Sequence, residues 1–291
     1  MRSVLSGHAG RTLILTVIAM LAFAANTLLC RLAMAQQLID AASFTSVRAI
    51  SGAAMLGLIV LAQQPTADGN SGDWRSALAL FAYMVTNSFA YLSISVGTGA
   101  LILFGAVQLT MFIAALRHGE HFSALSWTGL ALAVVGLVYL VSPGLAAPDP
   151  FGATLMAIAG AAWGFYSLLG RGVKNPLRAT ALNFLYIVPA VLVVSAIFWS
   201  RFSISASGAA LAAASGAFAS GGGYAIWYAA LSGLTAGRAA AVQLAVPAIA
   251  AFGGVVLLSE PLTPRLILAS VTTLGGVAIV LSQRAAKAPL P

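Results

Sequence analysis

Tyr83, Asn87 and Tyr91 stand at i, i+4 and i+8 of one apolar stretch. Ser220, Tyr224 and Tyr228 have the same spacing in another, with Trp227 beside them. On helices, each trio shares one face. The amides Asn26, Gln108 and Gln243 lie deep in other apolar stretches, as does Trp163, with Tyr166 close behind it. Rings grip apolar or aromatic bodies, and an amide offers both donor and acceptor, which suits a zwitterion or a neutral polar head. No Ser/His or paired-Asp set accompanies them. His8, His118 and His121 lie at the ends of apolar stretches or beyond them, as do Asp40, Asp68, Asp73, Glu120, Asp149 and Glu260. The legible chemistry is binding, not catalysis. An aromatic belt at the membrane interfaces is the competing account of the rings. It fits Trp74, Trp127 and Trp199 at stretch ends, and fits the mid-stretch Tyr83, Asn87 and Trp163 poorly. For the three amides, helix–helix hydrogen bonding competes on equal terms with substrate contact. The candidate substrate-binding set is therefore Asn26, Tyr83, Asn87, Tyr91, Gln108, Trp163, Tyr166, Tyr224, Trp227, Tyr228 and Gln243.

The elements that position these residues follow from composition. Of 291 residues, 60% are hydrophobic and only 7% charged, and the mean hydropathy is +0.99. Such a chain must face lipid, so it reads as an all-α polytopic membrane protein. The net charge of +8 comes without a basic cluster, which excludes a nucleic-acid partner. The lone Cys30 can form no intramolecular disulfide and no Cys-rich metal site, and no cofactor is expected. Ten apolar runs are long enough to span: about 12–34, 41–62, 75–95, 99–116, 124–142, 151–171, 178–200, 206–231, 235–257 and 264–283. The first reads as a retained span, not a signal peptide. With the N-terminus inside, ten Lys and Arg fall on the cytoplasmic side, three outside, and Arg48 within a span. Both termini are therefore expected in the cytoplasm of a bacterial-type inner membrane.

The chain also repeats itself. A shift of 140 residues lays Arg31 on Arg171, Phe44 on Phe184, Glu120 on Glu260 and Gly136 on Gly276. Ala106-Val107-Gln108-Leu109 recurs as Ala241-Val242-Gln243-Leu244. The halves, 1–143 and 144–291, hold five spans each. Five is odd, so the repeats are expected to be inverted, with a substrate site between them. Phe23-Ala24-Ala25-Asn26 and Trp163-Gly164-Phe165-Tyr166 carry a family likeness. So do Phe44 with Arg48, the paired glutamates, and Gly136 with Gly275-Gly276. In these the chain resembles the drug/metabolite transporter superfamily, ten-span exporters with two EamA-type repeats, and most of all the bacterial aromatic-amino-acid exporters. It departs from that pattern where Phe112 faces Pro247 and Val188 faces Arg48.

Arg48, Gly222, Pro247, Glu120 and Glu260 are candidates for gating or structural roles. Arg48 either snorkels outwards or meets a carboxylate of the protein or its substrate. Each glutamate either orders the turn that follows or handles protons. Gly222 belongs to a glycine run that either packs or bends, and Pro247 should kink its span. Lack of a mid-membrane carboxylate points away from proton antiport. The expected function is export of small metabolites, amino acids including aromatic ones, by alternating access around a central cavity. A broad drug or other metabolite exporter is the alternative. An intramembrane enzyme lacks its catalytic set, and a channel lacks a charge ring or carbonyl filter. The expected partners are the small-molecule substrate and the lipid bilayer, with no obligate protein partner.

Overall fold

Lipid offers no hydrogen-bond partner, so an apolar run closes its backbone bonds within itself. The computed structural model describes residues 2–63, 72–117, 119, 122–144, 147–170, 173–231, 233–234 and 242–287. It forms α1 (Arg2–Ala35), α2 (Ala41–Ala62), α3 (Trp74–Ala90), α4 (Val96–Arg117), α5 (Ala124–Val141), α6 (Pro150–Leu169) and α7 (Pro176–Ile197). After a 3₁₀ turn at Trp199–Arg201 come α8 (Ala206–Ala214), a π-helical segment (Ser215–Gly222), α9 (Gly223–Leu231), α10 (Ala245–Leu258) and α11 (Pro264–Lys287). Among the described residues there is no strand, only an isolated bridge between Ile39 and Ile204.

The polar punctuation sets the helix starts. Asp40, Asp73, Asp149 and Asn175 accept backbone N–H bonds as N-caps of α2, α3, α6 and α7. Pro150 and Pro176 open α6 and α7, where a missing N–H costs nothing.

Seven helices are long and apolar enough to cross a bilayer: α1 (from Gly10), α2, α4, α5, α6, α7 and α11. The remaining three expected spans look different. Helix α3 stops at Ala90 after 17 residues. The run 206–231 is divided by its π segment. Helix α10 has 14 residues from Ala245, preceded by helical Val242 and Gln243; residues 235–241 of the expected span lie outside the described residues. Pro247 stands three residues after the break at Leu244. It cannot donate to the residue four before it, and the helical run breaks at Leu244, between Val242-Gln243 and Ala245, where the expected kink falls. Pro189, inside α7, is placed to remove another helix bond.

The two halves interleave. Helix α3 packs on α6, and α1 on the π segment and α9. Helix α4 packs on α6, α1 on α10, α2 on α7, and α5 on α11. Small residues allow these approaches. A Cβ on Gly129 of α5 would lie 2.6 Å from the carbonyl oxygen of Gly276 in α11. Gly160 and Gly164 of α6 sit against Leu103 and Thr110 of α4. Phe44 and Phe184, counterparts in the two halves, are both fully buried.

One end of the bundle is tied by polar contacts between connecting segments. Asp40 N–H donates to the Ser203 carbonyl at 2.8 Å. Ser93 donates to Asp149 at 2.8 Å. Arg265 donates to the carbonyl and hydroxyl of Ser142 and to the Tyr139 carbonyl. At the same end Arg31 and Glu260 form the only ion pair among the described residues.

Candidate functional site

Between the halves lies a cavity that is open on one side. Phe23, Asn26 and Thr27 line it from α1, Tyr83 from α3, Leu103 and Phe104 from α4, Trp163 from α6, Tyr224 from α9, and Gln243 from just before α10. The cavity wall is mostly aromatic, and Trp163 is the hub. That indole stacks on Tyr166 at 5.3 Å and on Tyr224 at 5.4 Å, and tilts against Tyr83 at 4.9 Å between ring centroids. Phe23 meets Tyr224 edge-on at 5.9 Å. No carboxylate lines the cavity.

The π segment supplies the polar corner. A π turn carries its hydroxyls past the positions an α-helix would give them, and such turns are often found at functional sites. Here Asn26 Nδ2 donates to Ser220 Oγ at 2.6 Å and to the Ser215 carbonyl at 3.4 Å. Gly216 makes this possible, because a Cβ there would collide with the Arg48 carbonyl and the Ser51 hydroxyl.

Behind this wall stands Arg48 of α2, fully buried. Its Nη2 donates to the Tyr83 hydroxyl oxygen at 3.1 Å and its Nε to Ser220 Oγ at 3.4 Å. The guanidinium carbon lies 5.3 Å from the Tyr83 ring centroid. Nη1 has no partner. The snorkelling reading of Arg48 is thereby corrected: α7 and the π segment cover α2 at this depth, so the side chain has no path to the interface. No described acid pairs with it.

Of the eleven candidates, Asn26, Tyr83, Trp163, Tyr224 and Gln243 reach the wall. The other six do not. Asn87 turns towards α1 and donates to Cys30 Sγ at 3.9 Å. Tyr91 is the C-cap of α3, buried against Gly99 and away from the wall. Gln108 is half-buried in α4, away from the wall. Tyr166 supports Trp163 from behind and donates to Thr180 at 3.1 Å, and Tyr228 shares that hydroxyl at 3.0 Å. Trp227 packs edge-on against Phe23 at 6.0 Å. The wall also contains Thr27, Leu103 and Phe104, which carried no distinguishing signal. Phe23 had one, because the 140-residue shift lays it on Trp163.

The gating and structural candidates fall elsewhere. Glu260 accepts from Arg31 Nε at 2.9 Å and from the Val96 N–H that opens α4 at 2.7 Å. It thus caps α4 and does not order only its own turn. Gly222 closes the π segment, with room for a Cβ beside it. Glu120 lies outside the described residues. Outside the spans, Asp149 is held below the ordinary carboxylate range, first by the Gly152 N–H and then by the Ser93 hydroxyl.

Stacked apolar helices around an aromatic, amide-bearing cavity define a multi-pass membrane transporter. The model of the EamA-like transporter family matches residues 10–142 and again 150–282. The chain belongs to the EamA-like transporter family, and it is a transporter, not an enzyme. It is 48% identical over 278 residues to an uncharacterized protein of Pseudomonas aeruginosa, covering 96% of this chain and 97% of that one. It is 27% identical over 222 residues to an uncharacterized transporter of Archaeoglobus fulgidus, covering 72% and 77%. A solved crystal structure of a protein with 18% identity superposes with a TM-score of 0.65 over 95% of this chain and 99% of that one, which is a likeness of fold.

Proposed function

We propose that this chain is a bacterial inner-membrane exporter of small metabolites, amino acids including aromatic ones, working by alternating access between two inverted five-helix repeats. The observation that carries the reading is the cavity itself. Both halves wall it, and its rings and amides match a cargo with an aromatic or apolar body and a polar head. The packing fits two repeats related by a two-fold exchange. Exchanging each helix for its counterpart turns the α3–α6 contact into the α1–α9 contact and the α4–α6 contact into the α1–α10 contact, and leaves α2–α7 and α5–α11 unchanged. Ten spans follow if α3, the run 206–231 and α10 also cross. With both termini cytoplasmic, the tied end carrying Arg31 and Glu260 is the outer end. The carboxylate-free wall fits transport without proton coupling through a buried acid.

The test is flux of labelled amino acids from proteoliposomes, with and without an imposed pH gradient. Amino-acid flux that does not accumulate against its gradient is the expected result. Flux of planar drugs in place of amino acids would favour a broad-specificity drug exporter, and absence of amino-acid flux would reject the cargo.

A further inference from the structure

The cavity wall is electrically neutral, yet a cation sits one side chain behind it. Arg48 is always protonated and can only donate. A charge buried in a membrane protein costs several kcal/mol unless something answers it, and such residues mark function by default. Among the described residues nothing anionic does so. Asp40, Asp73 and Asp149 cap helices, and Glu260 is taken by Arg31. Tyr83 and Ser220 use two of the guanidinium's donors, while Nη1 is buried without a partner.

The direction of these bonds matters. Because Arg48 donates, the Tyr83 oxygen is an acceptor in their contact, so the Tyr83 proton is left for another acceptor. Tyr83 lines the cavity. Ser220 likewise accepts from both Asn26 and Arg48, and its proton too must go elsewhere. The polar corner therefore offers donors backed by positive charge, and the wall beside it offers rings and no carboxylate.

We infer that Arg48 and Tyr83 form a carboxylate-recognition corner: the cargo is an aryl or apolar carboxylate whose anionic end accepts from the Tyr83 hydroxyl in the field of Arg48, while its body lies on Trp163 and Tyr224. Tyr83 touches the cargo, and Arg48 positions and polarises Tyr83. The inference rests on the cavity being the cargo site. It narrows the cargo class from any polar head to a carboxylate.

The experiment uses the purified full chain in detergent. Tryptophan fluorescence is titrated with 3-phenylpropanoate and with 3-phenylpropanamide, which differ in the charge of the head and little in shape. The wild type should bind the carboxylate at least ten-fold more tightly. Y83F keeps the ring, and in it the ratio should fall towards one. R48Q should do the same, and R48K should restore part of the preference, which a purely structural role would not. Should R48Q fail to fold, the wild-type ratio and Y83F still decide. Equal affinities in the wild type, no response to either ligand, or a preference that survives Y83F overturns the inference. A carboxylate preference without amino-acid flux in proteoliposomes overturns only the amino-acid cargo.

Discussion

Arg31 Nε donates to Glu260 Oε1 at 2.9 Å, joining the last turns of α1 to the segment that leads into α11. The same arginine donates to the Tyr91 carbonyl at 2.8 Å, and the same glutamate receives the first N–H of α4. Four parts of the chain thus meet on two side chains that are 18% and 14% exposed. A pair this sheltered is worth more than a solvated surface pair, whose typical value is below about 1 kcal/mol. E260Q keeps an acceptor for Val96 and loses the charge, whereas E260A loses both. Melting in detergent should rank wild type above E260Q above E260A. The double variant R31Q/E260Q should melt close to the worse single variant, because the two residues share one contact. Strict additivity would contradict the coupling.

Trp163 organises the aromatic wall by touching Tyr83, Tyr166 and Tyr224. W163A should lower amino-acid flux about ten-fold or more, the loss of roughly 1.4 kcal/mol of binding. It also removes ring contacts and should melt lower. W163F refills most of the volume and should recover stability more fully than transport. Unchanged flux in W163A would make Trp163 a packing residue only.

Gly275 and Gly276 are neighbours in α11 with opposite surroundings. A Cβ at Gly276 would collide with the Gly129 carbonyl in α5, whereas one at Gly275 meets nothing within 4 Å. G276A should cost about 1–3 kcal/mol through overpacking. G275A should be neutral, or stabilising by up to about 1 kcal/mol from helix propensity. Thermal unfolding of the two variants side by side checks this, and equal effects would contradict the α5–α11 packing.

Asp149 caps α6 and receives Ser93 from the segment between α3 and α4. Its folded-state pKa lies below the ordinary 3.8, so its charge stabilises the fold above that value. The contribution is lost as pH falls through the lowered folded value. The wild type should therefore melt above D149N near pH 7, with the gap closing once pH drops below about 4. A gap independent of pH would mean that the amide caps as well as the carboxylate.

The apolar runs, their capping residues and their internal repeat were legible along the chain, because each depends only on neighbours in sequence. An apolar run in lipid has one way to satisfy its backbone, and Asp149 before Pro150 or Asn175 before Pro176 marks where it starts. Even the pairing of Phe23 with Trp163 was within reach of the 140-residue shift. The tertiary structure alone decided which face of each helix looks inward. Where lipid and protein interior are equally apolar, a helix carries almost no amphipathic signal, so Tyr83 and Asn87 share a face on paper yet meet different neighbours. The packing of α7 and the π segment over α2 turned Arg48 from a residue with two readings into a buried cation behind Tyr83. The tertiary structure also decided that Tyr91 is buried against Gly99 and does not line the cavity.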